Sequence, residues 1–354
     1  MESLVYSGTG NRRVSGLEFC CVTLLGFQEK YMKELISVVV PAYNEEAVIE
    51  ACYNRLAAIF DRLDGYAWEL VVVNDGSKDA TQSIVEALAQ RDSRIASVDL
   101  SRNFGKEIAM TAGLDYAKGD AVVVIDADLQ DPPELIEMFI DGWKEGYDVV
   151  YARRTHRDGE TWMKKATASL FYRLMSKLSR VQIPRDTGDY RLMSRRAVNA
   201  LLQLREHHRF MKGLFAWIGF PSKAVDYRRD PRAAGETKFN YWKLWNFAIE
   251  GLTSFTIAPL KLATYLGSLI AFCAFAAGLW VIAKTLLWGE AVRGYPTLMV
   301  TVLFLGGVQL FFIGVLGEYL GRIFGETKKR PLYFVQKHIR SESGGVWSEE
   351  HEGK

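Results

Sequence analysis

Two long apolar runs in the last third of the chain restrict its fold more than any other feature. Residues 262–287 contain one charged residue, and residues 297–324 contain two. A helix of about 20 apolar residues crosses the hydrocarbon core of a bilayer, and each run is long enough to do so. A buried hairpin in a soluble protein seldom needs two such runs in succession. We therefore predict two transmembrane helices within residues 258–324.

The charges beside the second run predict its orientation. Residues 325–354 form a tail that begins with a basic cluster, Lys328-Lys329-Arg330. Because cytoplasmic segments next to membrane helices are enriched in lysine and arginine, we expect this tail in the cytoplasm. Two crossings return the chain to its starting side, so we predict an inner or plasma membrane protein with its large domain and both termini in the cytoplasm. The net charge of only +2 gives no indication of a nucleic-acid partner.

Residues 32–238 have the pattern of a soluble α/β domain. Apolar runs such as Leu35–Val40 and Leu70–Val73 lack polar alternation, which is typical of strands covered on both faces. Each run is followed by a turn and then by apolar residues at helical spacing. This alternation predicts a mostly parallel, Rossmann-like sheet. We interpret residues 1–31 as a non-catalytic N-terminal extension.

Two segments are predicted to lie in the membrane interface and to contact lipids. Residues 162–178 place apolar side chains on one helical face and basic side chains elsewhere, which is typical of interfacial helices. A soluble helix packed on the sheet is the alternative for this segment. Residues 239–257 are rich in aromatic side chains and lead into the first apolar run, so we expect a second interface helix there.

A pair of carboxylates follows the fourth predicted strand. Asp126 and Asp128 come directly after the apolar run Ala121–Ile125, and their spacing places both side chains on the same side of the chain. Open α/β sheets bind ligands at the carboxyl ends of their strands. Carboxylate oxygens suit Mg²⁺ or Mn²⁺, which can also hold a diphosphate. An isolated pair of this kind is more often a solvated turn, so the neighbouring loops decide between the two interpretations.

Other loops at the same predicted edge carry side chains suited to a nucleotide. Tyr43 can stack on a base, and Glu45 can accept hydrogen bonds from ribose hydroxyls. Asp75 can accept a hydrogen bond from a base, and Lys106 follows a loop near the same edge. A single carboxylate after a strand is more often a helix cap. Four such loops at one edge indicate a nucleotide site more strongly than any one of them.

The motifs in these loops are Val40-Pro41-Ala42-Tyr43-Asn44-Glu45-Glu46, Asn74-Asp75-Gly76-Ser77-Lys78-Asp79, Ser101-Arg102-Asn103-Phe104-Gly105-Lys106 and Asp126-Ala127-Asp128-Leu129-Gln130-Asp131-Pro132-Pro133-Glu134. Together they resemble the family 2 inverting glycosyltransferases, which have the GT-A fold. Within that family the chain is most similar to the polyprenyl-phosphate glycosyltransferases, a group that includes dolichyl-phosphate mannose synthase. The resemblance covers about residues 33–335.

The resemblance implies roles for individual residues. Asp128 and Gln130 would coordinate the metal ion, and Asp126 would lie beside it, in contact with the ribose or diphosphate. Asp189 would be the catalytic carboxylate, with Asp186 as a competing candidate. The residues that would bind the nucleotide sugar are Pro41, Tyr43, Glu45, Asp75, Lys106, Asp126, Arg232 and Lys238.

A polyprenyl monophosphate acceptor would need orientation more than deprotonation. Its second pKa is about 6, so at neutral pH it is already largely a dianion. Arginine suits this work because its guanidinium binds phosphate with two parallel hydrogen bonds. Arg154, shortly after the predicted strand Val149–Tyr151, is our first choice for the acceptor phosphate. Lys164, Lys165 and Ser169 are further candidates, although basic residues there can also face anionic lipid.

The implied reaction is the transfer of one sugar from a nucleotide diphosphate sugar to a polyprenyl phosphate, with inversion of the anomeric carbon. UDP-glucose and undecaprenyl phosphate are our first expectations, and galactose, N-acetylated sugars and GDP-mannose stay open. A processive polysaccharide synthase is an alternative, but its Gln-x-x-Arg-Trp motif is absent from the sequence. A catalytically inactive membrane scaffold is another. Glycines such as Gly317 and Gly321 permit close helix packing, so a homo-oligomer through the apolar helices also stays open.

Overall fold

The computed structural model describes residues 33–155, 187–227, 258–288, 294–342 and 345–348, together with Pro184 and Thr256. The predicted N-terminal extension and the predicted interface helix at residues 162–178 lie outside the described residues. The same is true of residues 239–257 apart from Thr256. The predicted site residues outside the described part are Lys164, Lys165, Ser169, Asp186, Arg232 and Lys238.

A mixed β-sheet forms the centre of the α/β domain. Its strands within the described residues are β1 (Glu34–Ala42), β2 (Tyr66–Asn74), β3 (Ile95–Leu100), β4 (Ala121–Val124), β5 (Val149–Arg154), β6 (Thr187–Ser194), β7 (Ser222–Tyr227), β8 (Val335–Glu342) and β9 (Gly345–Ser348). Their order is β7-β5-β6-β4-β1-β2-β3-β8-β9. The central strands β4, β1, β2 and β3 are parallel, as the sequence predicted. Antiparallel pairing occurs where β6 meets β4 and β5, where β8 meets β3, and between β8 and β9, so the sheet is mixed outside its centre.

Helices cover both faces of this sheet. They are α1 (Ile49–Phe60), α2 (Thr81–Arg91), α3 (Lys106–Tyr116), α4 (Leu135–Lys144), α5 (Arg195–Leu202) and α6 (Met211–Trp217). Side chains of β1 alternate between the faces, so Val38 and Val40 pack with α1, α2 and α4, whereas Val39 packs with α3, α5 and α6. Because both faces are covered, every residue from Ile36 to Ala42 is buried. This double burial explains the uninterrupted apolar run in the sequence.

The chain after the second apolar run returns to the sheet. The sequence predicted only a basic tail for residues 325–354, but the structure places β8 in this segment, paired with β3. Arg340 on β8 forms an ion pair with Glu69 on β2, whose side chain is 7% exposed. The other carboxylate oxygen of Glu69 accepts a hydrogen bond from Ser37 Oγ at 2.5 Å. The segment after the second apolar run is therefore part of the α/β domain.

Two long helices, α7 (Ala258–Trp288) and α8 (Tyr295–Thr327), contain the two predicted membrane segments. Within them, Pro259–Val281 and Val300–Thr327 are long and apolar enough to cross a bilayer, and their most apolar stretches are not buried inside the chain. Exposed apolar surface of this extent is unfavourable in water. These helices are therefore candidate membrane spans.

Polar contacts connect the end of α8 to the α/β domain. The main-chain N–H of His207, in the loop between α5 and α6, donates to Glu326 Oε1 at 2.8 Å. His207 Nε2 lies 2.8 Å from the carbonyl oxygen of Arg330. Just beyond, the Tyr333 hydroxyl donates to Asp115 Oδ2 on α3 at 2.8 Å. These hydrogen bonds hold the end of α8 against the face of the sheet that carries α3. The pair of helices α7 and α8 is called the apolar hairpin below.

Candidate active site

The carboxyl ends of the central strands lie side by side at one edge of the sheet. The parallel register pairs Ala42 of β1 with Asn74 of β2, and Val39 of β1 with Val124 of β4. The loops that carry the predicted site residues therefore leave the sheet at the same edge. This is the edge at which open α/β sheets bind ligands.

The loops after β1 and β2 are joined by hydrogen bonds. The main-chain N–H of Asn44 donates to Ser77 Oγ at 2.9 Å. The main-chain N–H of Glu45 donates to Thr81 Oγ1, at the start of α2, also at 2.9 Å. Tyr43 is 40% exposed at the rim, which leaves its ring accessible for stacking. Pro41 lies in β1 with its side chain buried, so it shapes the loop from within the strand.

Asp75 holds the third loop in place. Its two carboxylate oxygens accept hydrogen bonds from the main-chain N–H groups of Phe104 and Gly105, at 2.7 and 2.9 Å. Burial raises the pKa of Asp75, although these two donors act in the opposite direction. The next residue, Gly76, has φ +65°, and a Cβ there would lie 2.4 Å from the main-chain carbon of Arg102. Asp75 was predicted to read a base, and in this structure it orders the loop that leads to Lys106.

Lys106 joins two carboxylates that come from different strands. Its Nζ lies 2.8 Å from Asp126 Oδ2 and 2.7 Å from Asp189 Oδ2. Lys106 is the first residue of α3, Asp126 follows β4, and Asp189 lies on β6, which pairs with β4. The sequence predicted Lys106 for nucleotide-sugar binding, Asp126 for nucleotide-sugar and metal binding, and Asp189 for catalysis. The structure brings all three into one charged cluster.

The electrostatics of this cluster keep Asp189 ionised. Burial alone would raise its pKa, but Lys106, Lys212 and Arg191 lower it to about 2. Burial alone would lower the pKa of Lys106, but the two carboxylates outweigh it and raise that pKa. Beside them, burial and the charge of Asp189 raise the pKa of Glu107 to about 8. At neutral pH the cluster therefore holds an anionic Asp189 next to a largely protonated Glu107.

The turn after Asp126 has a donor set suited to a hard divalent cation. Leu129 has φ 56°, and the main-chain N–H of Gln130 donates to Asp128 Oδ1 at 3.2 Å. The buried Gln130 Oε1 has no hydrogen-bond partner. Within the described residues no three His, Cys, Asp or Glu side chains gather as a complete metal site. Two aspartates and an amide oxygen nevertheless fit Mg²⁺ or Mn²⁺ bound together with substrate phosphates, since such ions often take few protein ligands.

Arg154, the predicted acceptor-phosphate residue, is the last residue of β5, which pairs with the Asp189 strand β6. Its Nε donates to the Tyr227 hydroxyl at 3.0 Å, and its Nη2 lies 3.7 Å from Asp131 Oδ1. A Cβ on Gly188 would come within 3.1 Å of Arg154 Nη2, so the guanidinium lies against the backbone of β6. Arg154 is therefore close to the cluster, with part of its hydrogen-bonding capacity already used.

Three residues of this region were not predicted as site residues: Glu107, Arg191 and Lys212. Glu107 directly follows Lys106, and Arg191 follows Asp189 at a spacing of two, which places both arginine and aspartate on one face of β6. That spacing was the available signal for Arg191. Lys212 comes from α6, far along the chain, and no local pattern connects it to the site.

The α/β sheet, its edge loops and the carboxylates after β4 define a glycosyltransferase of the GT-A class. The chain belongs to glycosyl transferase family 2, whose pattern matches residues 37–202. Residues 258–323, which include most of α7 and α8, match the GtrB C-terminal hairpin. These matches confirm the resemblance inferred from the loop motifs.

Similar proteins cover most of the chain. An uncharacterized glycosyltransferase of Synechocystis is 53% identical over 85% of this chain and 94% of its own length. A prophage bactoprenol glucosyl transferase homolog of Escherichia coli is 49% identical over 85% of this chain and 98% of its own. The bactoprenol glucosyl transferase of Shigella phage SfII is 50% identical over 86% and 98%. Among solved structures, glucosyl-3-phosphoglycerate synthase of Mycobacterium tuberculosis matches 62% of this chain and 78% of its own, with 24% identity and a TM-score of 0.43.

Proposed function

We propose that this protein transfers one glucose from UDP-glucose to a polyprenyl phosphate, with undecaprenyl phosphate as the acceptor, and inverts the anomeric carbon. The observation that carries this proposal is the similarity, at about 50% identity over most of the chain, to bactoprenol glucosyl transferases. The two apolar helices beside the α/β domain support a lipid acceptor, because a polyprenyl chain is confined to the bilayer.

Asp189 acts in this proposal as an anion that orients and stabilises, and a base is not required. Its pKa of about 2 makes it a weak base, and the acceptor phosphate is already an anion at neutral pH. Its carboxylate is suited to stabilise positive charge that develops at the anomeric carbon in the transition state. Lys106, held between Asp189 and Asp126, is suited to neutralise the departing diphosphate.

The proposed nucleotide-sugar site is the rim formed by the loops after β1, β2 and β3. Tyr43 would stack on the base, and Glu45 would accept from the ribose. Asp75 would act through the loop that it orders, so that Lys106 meets the diphosphate. Arg232 and Lys238 stay proposed diphosphate ligands, as does Arg154 for the acceptor.

Asp128 and Gln130, with Asp126 beside them, are proposed to hold Mg²⁺ or Mn²⁺. The partnerless Gln130 Oε1 and the oxygen-only donor set support this assignment. The ion would supply charge neutralisation to the leaving diphosphate. Asp128→Asn should weaken Mn²⁺ binding, measured by electron paramagnetic resonance on the purified protein, and should abolish most of the transfer. Asp141→Asn, an exposed carboxylate on α4, is the matched control and should retain both. Unchanged Mn²⁺ binding in Asp128→Asn would refute the assignment.

The proposed membrane orientation places the α/β domain and both termini in the cytoplasm. The cluster Lys328-Lys329-Arg330 at the end of α8 supports it. The contacts of His207 with Glu326 and Arg330 hold the domain at that same end of the hairpin. Cysteine labelling of intact cells at the connector between α7 and α8, compared with labelling at the C-terminus, tests this orientation directly.

The transfer itself is tested with the full chain in detergent, radiolabelled UDP-glucose and undecaprenyl phosphate. We expect one chloroform-soluble product that carries a single sugar, and loss of this product in Asp189→Asn. A ladder of products would indicate a processive synthase. The absence of transfer from a panel that includes UDP-galactose, UDP-N-acetylglucosamine and GDP-mannose would indicate an inactive scaffold.

A further inference from the structure

A cavity of about 220 Å³ lies on the side of β6 that faces α6. It is far larger than a single water molecule needs. Thr187, Asp189 and Arg191 are every second residue of β6 and therefore lie on the same face of the strand. Because Thr187 and Arg191 line the cavity, the cavity is next to the cluster that contains Asp189. The nucleotide loops leave β1, β2 and β3 on the opposite side of Asp189. Side chains that line the cavity include Tyr151, Thr187, Arg191, Lys212, Phe215 and Phe220.

Arg191 brings a buried positive charge to this cavity without a carboxylate partner. Its Nη2 and Nε donate to the main-chain oxygens of Gly188 and Asp189, at 2.8 and 3.2 Å. Its guanidinium stacks on Phe215, with 3.6 Å between Cζ and the ring centre. Arg191 is only 5% exposed, and burial lowers its pKa to about 10. Across the described residues, Nη1 makes no hydrogen bond and no ion pair reaches the guanidinium.

Lys212 brings a second positive charge to the same cavity. It lies on α6, and no described residue gives it a hydrogen bond or an ion pair. Burial lowers its pKa, and the charged groups around it are Asp189, Arg154, Glu107 and Lys106. Lys212 is partly buried and has no carboxylate within ion-pair distance among the described residues, so an anion bound in the cavity would stabilise its charged form.

Basic side chains outnumber ionised carboxylates on the cavity side of the cluster. Lys106, Arg191 and Lys212 contribute three basic side chains, whereas Asp189 and Asp126 contribute two carboxylates, and Glu107 is largely protonated at neutral pH. The excess of positive charge is concentrated at the cavity, because Lys106 is already paired with both carboxylates. Aromatic rings from Tyr151, Phe215 and Phe220 line the remaining wall. An anionic group attached to an apolar chain matches this combination better than a nucleotide diphosphate does.

We propose that Lys212 and Arg191 form the subsite for the phosphate of the lipid acceptor, with the first isoprenyl units against the aromatic wall. This inference rests on the proposed function and adds Lys212 and Arg191 to Arg154, whose charge acts on Lys212, as residues that hold the acceptor. Asp189 then lies between the acceptor phosphate and the Lys106 end of the donor site. The arrangement orients the phosphate oxygen toward the anomeric carbon and needs no proton transfer.

The test uses Lys212→Met, which keeps the length of the side chain and removes its charge. Loss of one hydrogen bond to a charged group lowers binding affinity by about 10- to 100-fold. We therefore expect the KM for undecaprenyl phosphate to rise by about that factor, while the KM for UDP-glucose stays within about 2-fold. Lys212→Arg should recover most of the acceptor affinity. Lys223→Met is the matched control. Lys223 lies on β7, which pairs with β5, and its ammonium forms an ion pair with Glu145.

Binding is measured separately by titration of the full chain in detergent with farnesyl phosphate and with inorganic phosphate. Farnesyl phosphate should bind the wild type more tightly than inorganic phosphate, and Lys212→Met should weaken it. If Lys212→Met does not fold, Ala216→Leu fills the same cavity without a change of charge and should raise the acceptor KM in its place.

The outcomes separate this inference from the proposed function. A wild type that transfers glucose, with an unchanged acceptor KM in Lys212→Met, overturns the subsite and leaves the function intact. A rise confined to the KM for UDP-glucose overturns it as well, because the cavity would then serve the donor. A wild type that transfers no sugar to undecaprenyl phosphate overturns the proposed function. In that case the subsite is tested by binding alone, and an equal affinity of the wild type and Lys212→Met for farnesyl phosphate overturns it.

Discussion

The ammonium group of Lys106, shared by two carboxylates, is the feature whose removal has the most definite consequence. Lys106→Met keeps the aliphatic length and leaves Asp126 and Asp189 facing each other without the cation between them. We expect the variant to lose stability and most of its transferase activity, and to acquire a new dependence on pH. The physical reason is that Asp189, with its side chain only 12% exposed, loses its largest source of stabilisation.

The magnitude follows from the burial of the three groups. Removal of one partner of a fully buried ion pair costs about 3–5 kcal/mol. The Lys106 side chain is 43% exposed, so solvent screens part of the interaction. We therefore expect a loss of about 1–3 kcal/mol in the free energy of unfolding. Lys337 pairs with Glu86 at 2.8 Å and is 45% exposed, and Lys337→Met is expected to cost less than about 1 kcal/mol because its partner is more accessible.

The pH dependence has a definite sign. In the wild type the pKa of Asp189 is about 2, below its ordinary value of about 4. The stabilisation from this ionised carboxylate is therefore complete above pH 4 and is lost only as the pH falls through 2. Without Lys106 the pKa of Asp189 rises, so the acidic limb of the pH–rate profile and of the melting temperature should move upward.

The assay compares wild type, Lys106→Met and Lys337→Met as full-length protein in detergent. Melting temperatures are recorded from about pH 2 to pH 9, across the pKa of Asp189, and initial rates of glucose transfer are recorded over the part of this range in which each protein stays folded. A Lys106→Met profile that parallels the wild type, with a melting temperature equal to that of Lys337→Met, would refute the assignment of Lys106 as the cation that keeps Asp189 ionised.

Three further variants test other parts of the structure. Gly76→Ala should cost about 1–3 kcal/mol and raise the KM for UDP-glucose, because the new Cβ meets the backbone of Arg102 in a left-handed turn. Arg340→Met should lower stability by about 2–4 kcal/mol, measured by thermal unfolding, because it leaves the buried Glu69 without its cation. The pKa of Glu107 is raised to about 8, so wild-type stability should fall as the pH rises from about 4.5 through 8. Glu107→Gln should remove most of this decline in the melting temperature, and an unchanged decline would contradict the assignment.

Much of the fold was predictable because its signals are local. The unalternating run at Leu35–Val40 predicted a doubly covered strand, and β1 is buried on both faces. The two apolar runs predicted the long helices α7 and α8, since length and composition suffice for that inference. The mixed pairing of β6 and β8 was not predictable, because strand direction depends on the path of the chain and leaves no periodic signal.

The candidate site divides in the same way. The loops and the Asp126-Ala127-Asp128 step were found from strand ends and motifs. Their convergence at one edge follows from parallel topology. By contrast, Lys106 was predicted as a nucleotide ligand, and its ion pair with Asp189 joins residues 83 positions apart. No spacing rule connects residues that distant.

By itself, then, the sequence determined the class of this protein: an α/β glycosyltransferase domain with two long apolar helices and a pair of carboxylates at a strand end. These are properties of short windows, where hydrophobic periodicity and residue chemistry act directly. Only the tertiary structure decided that Lys106 neutralises Asp189, that Arg191 and Lys212 share a cavity, and that the segment after α8 completes the sheet. Electrostatic coupling acts through space, so charges acquire their roles only when folding brings them within a few ångströms of one another.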